Sequence, residues 1–547
     1  MEASQERLLF EHLGESCLLF LLNTSADRLR KYLEDADASQ LNDVQREIVS
    51  QLVVADTVFF RVEDSMFTGE NWARHLMSRE STARESIGNA VRRVAGGVIA
   101  EPDPSLSDAP LTLVQLAIDV YPGFLVKEDD SPFRRMGMPI SIFHHPLSEQ
   151  FQNQVLADSV LKKLFPNDSE SAGPSGSTMR TSGSGGGTQL WMFAETLLSS
   201  GWRLARLDAI TPTIEGFIEK ALESFDVVRS ATSGGAAEIP VRVGLTGVLL
   251  PEGVNELELG SVHLRRTDDR DQHFVKMTNL EGQLTGTDEQ GQTAVINYAG
   301  DLVMECNIPY LVEIGNDPTA MLEFSPRLRK ALGKIEYVAQ NLRLGLLLAC
   351  PDIRPTLLTT WQVTLDPLSA GQGAGWSDAR QGPGLMPRQL NADQVASWQE
   401  WADRIDGVRT PSIEVSVGRM LAAVAERRRP DDVLVDAVIV WENMFGAATE
   451  TTLRVTTSLA WLLGTSEADR RKKQTEYKKI YQYRSAVVHG APNPELKKVQ
   501  DYSQQAINVS IAALRAVFKE RPELLSEKSS EERSLRILHA GISAKNV

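Results

Sequence analysis

Apolar residues recur at helical spacing along most of the chain and at strand spacing only in its middle. Near the start, Arg28–Leu33 and Val44–Val54 repeat apolar residues every three or four positions, which predicts helices. Leu111–Val126 is so uniformly apolar that its period does not choose between helix and strand. Between about Ile239 and Ile314 the pattern turns to β. Ile239–Leu250 and Glu256–Leu264 alternate, and Phe274–Met277, Gly282–Thr287 and Thr293–Tyr298 follow, parted by short turns containing Gly, Asn or Asp. A small antiparallel sheet or sandwich is expected. Helical spacing returns at Arg327–Ala349, where Leu328, Leu332, Ile335, Val338, Leu342 and Leu346 form one stripe, and everything from Ala392 reads helical.

The breaks set the organisation. Glu101–Pro104 reads as a connector. Asp168–Thr188 holds almost nothing to bury and reads as a mobile linker, and Gln372–Pro387 is a Gly/Pro-rich loop. The expected units are a mixed, mainly helical region over 1–167, a flexible linker over 168–188, and a helix followed by a β-rich region over 189–318. A helix with a connector over 319–390, a helical bundle over 391–525 and a charged tail over 526–547 complete the chain. The fold class is a multidomain α+β protein, mostly helical, with a β-rich middle and an all-α C-terminal bundle. At about 100–200 residues per domain, 547 residues suit several units.

In the bundle, Asp431 or Asp432 is placed to cap a helix that runs to Phe445 and ends at Gly446. It is apolar nearly all round and so belongs at the centre. Thr451–Leu463 follows and stops at Gly464. Ser466 offers the next cap, with Asp469 three residues on. The third helix ends at His489–Gly490, and Asn493–Pro494 opens a fourth with stripe Val499, Tyr502, Ala506, Val509, Ala513 and Val517. On the third helix, Tyr477, Ile480, Tyr481, Arg484, Val487 and Val488 share one face. Arg484 therefore sits on the apolar stripe, where a charge needs a partner or a task.

Composition is ordinary for a folded protein: 42% hydrophobic and 24% charged, with a net charge of -16. That acidity argues against a nucleic-acid coat over the whole surface, but leaves room for a local basic site. The cysteines Cys17, Cys306 and Cys350 are scattered, and no Cys/His spacing suggests zinc. The polar start and short apolar runs predict neither a signal peptide nor a membrane span, and a reduced, cytoplasmic setting follows.

Several residues are candidates for chemistry. Arg484 and His489 lie five positions apart. Pairs as loosely spaced occur at Arg7/His12, Arg266/His273 and Arg533/His539, so spacing alone distinguishes nothing. On an ideal helix Arg484 and His489 are about 140° apart, so they converge only if the helix end distorts or the arginine reaches round. Arg470, Arg471, Lys472, Lys473, Lys478 and Lys479 form either a solvated helix face or an RNA-phosphate surface. Tyr483 points off the stripe, where it can stack on a base. Arg484 also suits a structural pairing with Asp436 or Glu442. His144–His145 has no further ligand nearby, and Ser182–Gly187 lacks the Lys-Ser/Thr of a phosphate loop.

Context separates Arg484/His489 from the other pairs. Tyr481–Gly490, reading Tyr-Gln-Tyr-Arg-Ser-Ala-Val-Val-His-Gly, resembles the signature of the Apea-like HEPN domain family: a helix ending in Arg-Ser, small or apolar residues, then His-Gly. Val440–Phe445 looks like that family's helix with an apolar-Glu-apolar centre, and Glu450–Gly464 like its following helix. The likeness covers the C-terminal part and not the first 390 residues.

The resemblance implies a metal-independent endoribonuclease needing no cofactor, with Arg484 and His489 catalytic and Glu442 in the place of the family's helical acid. Ser485 stands where many HEPN proteins have Asn, Asp or His. RNA supplies its own 2′-hydroxyl nucleophile. An imidazole moves protons near neutrality, and a guanidinium steadies charge growing on phosphate. Products would carry 2′,3′-cyclic phosphate and 5′-hydroxyl ends. The resemblance further implies a homodimer, or a higher oligomer, through the bundle. Proteins of this kind are often anti-phage toxins acting by abortive infection, here restrained by the N-terminal region until a phage-derived or cellular trigger arrives. The alternative is a non-catalytic HEPN module that binds a nucleotide or a partner in a defence or stress complex. An enzyme seated in the N-terminal half finds no motif to support it.

Overall fold

The computed structural model describes residues 2–34, 38–60, 68–80, 83–127, 142, 144–166, 178–183, 188–277, 283–287, 293–297, 299–315, 325–369, 387–427, 429–489 and 495–543. The chain is mostly helical with a small antiparallel sheet, as a multidomain α+β protein should be. The doubtful segment Leu111–Val126 is helical up to Phe124, as part of Asp108–Phe124, with Leu125 as its C-cap. Its side chains are buried almost all round, so no polar face remained to reveal a period.

The sheet has five strands. Glu238–Thr246 (β2) lies between Leu302–Pro309 (β5) and Leu358–Thr364 (β7), and the hairpin Glu256–Leu259 (β3) and Val262–Arg266 (β4) completes the order β7-β2-β5-β4-β3. Glu256–Leu264 is thus two strands turned at Gly260, whose φ of 64° suits glycine. Phe274–Met277 is not a strand: it belongs to a short helix, Gln272–Met277, and Phe274 stacks on Trp361 of β7. The indole of Trp361 crosses Gly244 so closely that a Cβ there would lie 2.0 Å from its nitrogen. Gln283–Thr287 and Thr293–Asn297 pair as a hairpin, while Tyr298 lies outside the described residues.

Two expected connectors contribute structure. Thr178–Thr181 (β1), inside the expected linker, pairs antiparallel with Val312–Gly315 (β6). Met179 is buried there, and Ser182 Oγ donates to Pro309 O at 2.6 Å. Thr188, at the end of the same stretch, is also buried, with its hydroxyl 3.2 Å from that of Thr196. Likewise β7 belongs to the sheet, although the 319–390 region read as helix and connector. Of the expected loop Gln372–Pro387 only Pro387 is among the described residues, and the cap Asn493–Pro494 lies outside them.

The helices that matter below are Phe193–Asp208 (α1), Pro326–Ala349 (α2), Ala392–Val408 (α3), Glu414–Ala425 (α4), Pro430–Phe445 (α5), Thr451–Leu463 (α6), Glu467–Val488 (α7), Leu496–Lys519 (α8) and Ser530–Ser543 (α9). There are two main cores. One runs through the N-terminal helices and the sheet; the other fills the C-terminal bundle. Helices α2 and α3 serve both. Ile335, Val338 and Leu342 face the first core, and Leu344, Leu347 and Leu348 the second. Trp398 and Trp401 divide in the same way. The bundle therefore has a wall built from residues before 391.

The expected charged tail is a docked helix. Ile537 of α9 is buried, and so is Arg533, at 2% exposure. The Arg533 guanidinium donates to the carbonyls of Met444 (2.9 Å) and Asn443 (2.7 Å), to Ser412 O (3.3 Å) and to Ser412 Oγ (3.0 Å). It thereby satisfies carbonyls at the C-terminal turn of α5 that the helix itself leaves open. Among the described residues, no helix is long and apolar enough to cross a membrane.

Candidate functional site

The site is built where α5 and α7 meet. Helix α5 starts one residue before the expected caps, with Pro430 in its first turn, where a missing N–H costs nothing. Asp431 pairs instead with Arg429 at 2.6 Å. Asp436 is buried and takes two guanidinium partners, Arg419 at 2.8 Å and Arg427 at 2.6 Å. Trp441 is fully buried and donates to Ser510 Oγ of α8 at 2.9 Å. This fixes the rotation of α5 and turns Glu442, in its last turn, toward α7.

Helix α7 begins at the expected cap, where Ser466 Oγ accepts from Asp469 N at 3.2 Å, but the Asp469 carboxylate accepts from Thr465 N at 3.0 Å instead of closing a capping box on Ser466. Tyr477, Ile480 and Tyr481 are buried. Arg484 follows one turn later on the same face, beside Glu442. Tyr481 donates its hydroxyl to Glu442 Oε1 at 2.6 Å, and Arg484 Nη2 donates to Glu442 Oε2 at 3.3 Å. Burial first, then the neighbouring carboxylate, pushes the Tyr481 hydroxyl up to about 12. The Arg484–Glu442 pair is only partly exposed, at 18% and 26% of the side chains. Arg484 Nε is buried and has no hydrogen-bond partner among the described residues. One carboxylate oxygen thus holds one corner of the guanidinium, and the remaining donors are not consumed by a bidentate clamp.

His489 is the C-cap of α7. Its backbone N–H still reaches Ser485 O at 3.0 Å, so helical geometry persists to the end. The distortion that would swing Arg484 and His489 onto one face is not present. The imidazole is exposed and makes no hydrogen bond to a described residue, while Val488 beside it is half exposed. Gly490 lies outside the described residues. The structure therefore joins Arg484, Glu442 and Tyr481, and leaves His489 at the tip of the same helix.

The basic candidates divide. Arg470 lies over the Trp461 ring at 4.0 Å, Arg471 pairs with Glu467 at 2.6 Å, and Lys473 with Asp469 at 2.8 Å. Lys473 and the Thr465 backbone amide hold the Asp469 carboxyl below its usual range. Lys472, Lys478 and Lys479 are exposed. By helical spacing Lys472 and Lys479 point opposite the buried stripe, whereas Lys478 lines up with His489. Tyr483 is half-buried, with its ring 4.9 Å from that of Tyr502, so it packs against α8 instead of standing free for a base.

Three features were not singled out in the sequence. Tyr481 passed for a stripe residue, because its hydroxyl role depends on a carboxylate from another helix. Lys497 and Lys498, exposed in the first turn of α8, were visible as a Lys-Lys pair following Pro494. Arg533 is a structural latch. In the N-terminal region, His145 is buried: its Nδ1 accepts from Leu147 N at 3.3 Å and its Nε2 lies 3.3 Å from Asp119. No cluster of three metal-ligating side chains occurs among the described residues. The three cysteines are buried free thiols. Compared with known proteins, the chain matches no family model, no curated protein and no solved structure.

Proposed function

We propose that the C-terminal bundle is a metal-independent endoribonuclease of the HEPN kind. The observation that carries this reading is a partly buried arginine, steadied by Glu442 and Tyr481, one turn and a half from an exposed histidine at the end of the same helix. Arg484 would bear on the phosphate. Its delocalised charge and free donors suit the oxygens of a phosphoryl group gaining negative charge. His489, in solvent and at a helix C-terminus, is placed to move protons. The substrate's 2′-oxygen forms a bond to phosphorus, the bond to the 5′-oxygen breaks, and that oxygen takes up a proton. Neither metal nor cofactor enters.

Because Arg484 and His489 point to different sides of α7, the reading asks for a second copy of the chain. Each copy would then bring its own helix tip to a shared cleft, in a homodimer or a larger assembly. Lys472, Lys478, Lys479, Lys497 and Lys498 would hold flanking phosphates. In this reading the protein is a cytoplasmic anti-phage toxin, restrained by its N-terminal region until a phage-derived or cellular trigger acts.

Incubation with total RNA in excess EDTA should yield fragments ending in 2′,3′-cyclic phosphate. Fragments ending in 3′-hydroxyl, or cleavage that appears only with added metal, would overturn the proposal. A second reading, a non-catalytic module that binds a nucleotide or a partner, is favoured by one observation: Glu442 and Tyr502 already give Arg484 and Tyr483 structural partners. Toxicity equal in wild type and His489→Ala would support it.

A further inference from the structure

In the N-terminal region a pocket of about 450 Å³ opens between the helices Ile87–Val94, Asp108–Phe124 and Pro146–Ala157 and the connector that follows Val98. Part of its lining is apolar: Ile99, Ala100 and Pro102 of the connector, with Ile118 and Leu147 from the helices. The rest is polar, and its charges balance, three guanidinium groups against three carboxylates.

Four of those charges are already committed in pairs. Arg79 Nη1 donates to Asp119 Oδ2 at 3.1 Å, and Arg93 Nη2 donates to Glu85 Oε2 at 2.8 Å. Asp119 is buried and is further held by the backbone N–H of Ser86 at 3.1 Å, with His145 Nε2 at 3.3 Å. One cation and one anion remain. Arg84 and Glu101 are exposed, and neither forms an ion pair or a hydrogen bond with a described residue. Asn89, also in the lining, is 1% exposed. Its amide nitrogen donates to Ile118 O at 3.0 Å, while its Oδ1 accepts from no described residue. An amide oxygen on so buried a side chain ordinarily has a donor, and this one borders an open pocket. The half-buried Gln115 likewise leaves its amide unbonded to any described residue.

We propose that this pocket binds a free α-amino acid with an apolar side chain. A zwitterion matches a neutral pocket that holds one spare charge of each sign. Arg84 takes the α-carboxylate, which suits the fork of a guanidinium. Glu101 takes the α-ammonium, which also donates to Asn89 Oδ1 and to the Gln115 amide oxygen. The side chain lies on Ile99, Pro102 and Leu147, where leaving water favours binding. A polyanion is disfavoured, because Glu85, Glu101 and Asp119 stand in the lining. No residue of the C-terminal bundle takes part, so the site stands apart from the ribonuclease reading.

The test titrates the full-length protein with L-leucine, L-isoleucine, L-methionine and L-phenylalanine by isothermal calorimetry. At least one should bind with a dissociation constant of about 1 mM or tighter. N-acetylation or amidation of that amino acid removes one of its charges, and each should weaken binding roughly tenfold or more. Arg84→Ala and Glu101→Gln should each do the same. Both side chains are exposed and make no bond to a described residue, so neither change should disturb folding. His489→Ala should bind as wild type. Folded wild type that binds none of the four amino acids would overturn the proposal. So would an affinity that both blocked forms, or both substitutions, leave unchanged. Binding of a leucine-containing tripeptide without binding of leucine would also overturn it, and would make the pocket a peptide site.

Discussion

Arg484 Nη2 lies 3.3 Å from Glu442 Oε2, across the contact between α7 and α5. Glu442 is held from its other oxygen by Tyr481, so the carboxylate is fixed before the arginine meets it. Replacing Glu442 with Gln keeps the shape and removes the charge. We expect it to lower stability by about 1–2 kcal/mol, because a partly buried, charge-assisted bond is lost. RNA cleavage should slow more than that loss explains, as Arg484 gains freedom. Urea unfolding beside initial cleavage rates checks both. An unchanged rate would mean Glu442 does not orient Arg484.

Arg533 predicts a larger effect from a residue far from any chemistry. Its donors satisfy carbonyls at the end of the helix that carries Glu442, and it is fully enclosed. Arg533→Ala leaves those carbonyls unpaired beside a cavity. The expected cost is on the order of 3 kcal/mol or more in chemical denaturation. A loss below about 0.5 kcal/mol, the ordinary range for a surface change, would show that the last helix is not docked in solution.

The Tyr481 hydroxyl gives a pH dependence with a definite sign. Its ordinary value is 10.0, and in the folded chain it is pushed up to about 12. Between these values the unfolded chain binds fewer protons than the folded one, so stability falls as pH rises from about 10 to 12. Below pH 10 the group contributes no slope. Tyr481→Phe should flatten that part of the stability profile, and tyrosinate absorbance should show one late-titrating group fewer. An identical slope in wild type and variant would place Tyr481 in water.

The shared wall of the two cores bears on truncation. A chain starting at Ala392 loses Leu344, Leu347 and Leu348 from the bundle core. At about 2–5 kcal/mol for each large apolar side chain removed, it should fail to unfold cooperatively. Release of the bundle from its N-terminal region is therefore better sought by point changes on the seam. A sharp, cooperative unfolding transition in the 392–547 fragment would contradict this.

Much of the bundle could be read in advance because local signals there agree. Gly464 stops one helix at Leu463, and Ser466 starts the next, as the sequence suggested. The amphipathic stripe of α7 placed Arg484 on a buried face. What escaped depended on distant partners. Thr178–Thr181 forms a strand only because Val312–Gly315 lies alongside, and Phe274 is helical where it meets Trp361. The tail looked merely charged because the use of Arg533 lies in backbone carbonyls of another helix, which leave no mark in its own neighbourhood. The face of His489 followed from spacing alone, whereas the Glu442 anchor of Arg484 was one of two acids that the pattern allowed.

The central claim is that Arg484 and His489 cut RNA without metal. Its most direct test is cleavage of total RNA in excess EDTA by wild type, Arg484→Ala and His489→Ala, each shown to be folded. His489 is exposed, so its replacement should leave stability within about 0.5 kcal/mol of wild type and separate chemistry from folding. Wild type should release fragments with 2′,3′-cyclic phosphate ends, and both variants should release none. Cleavage that persists undiminished in both variants would contradict it.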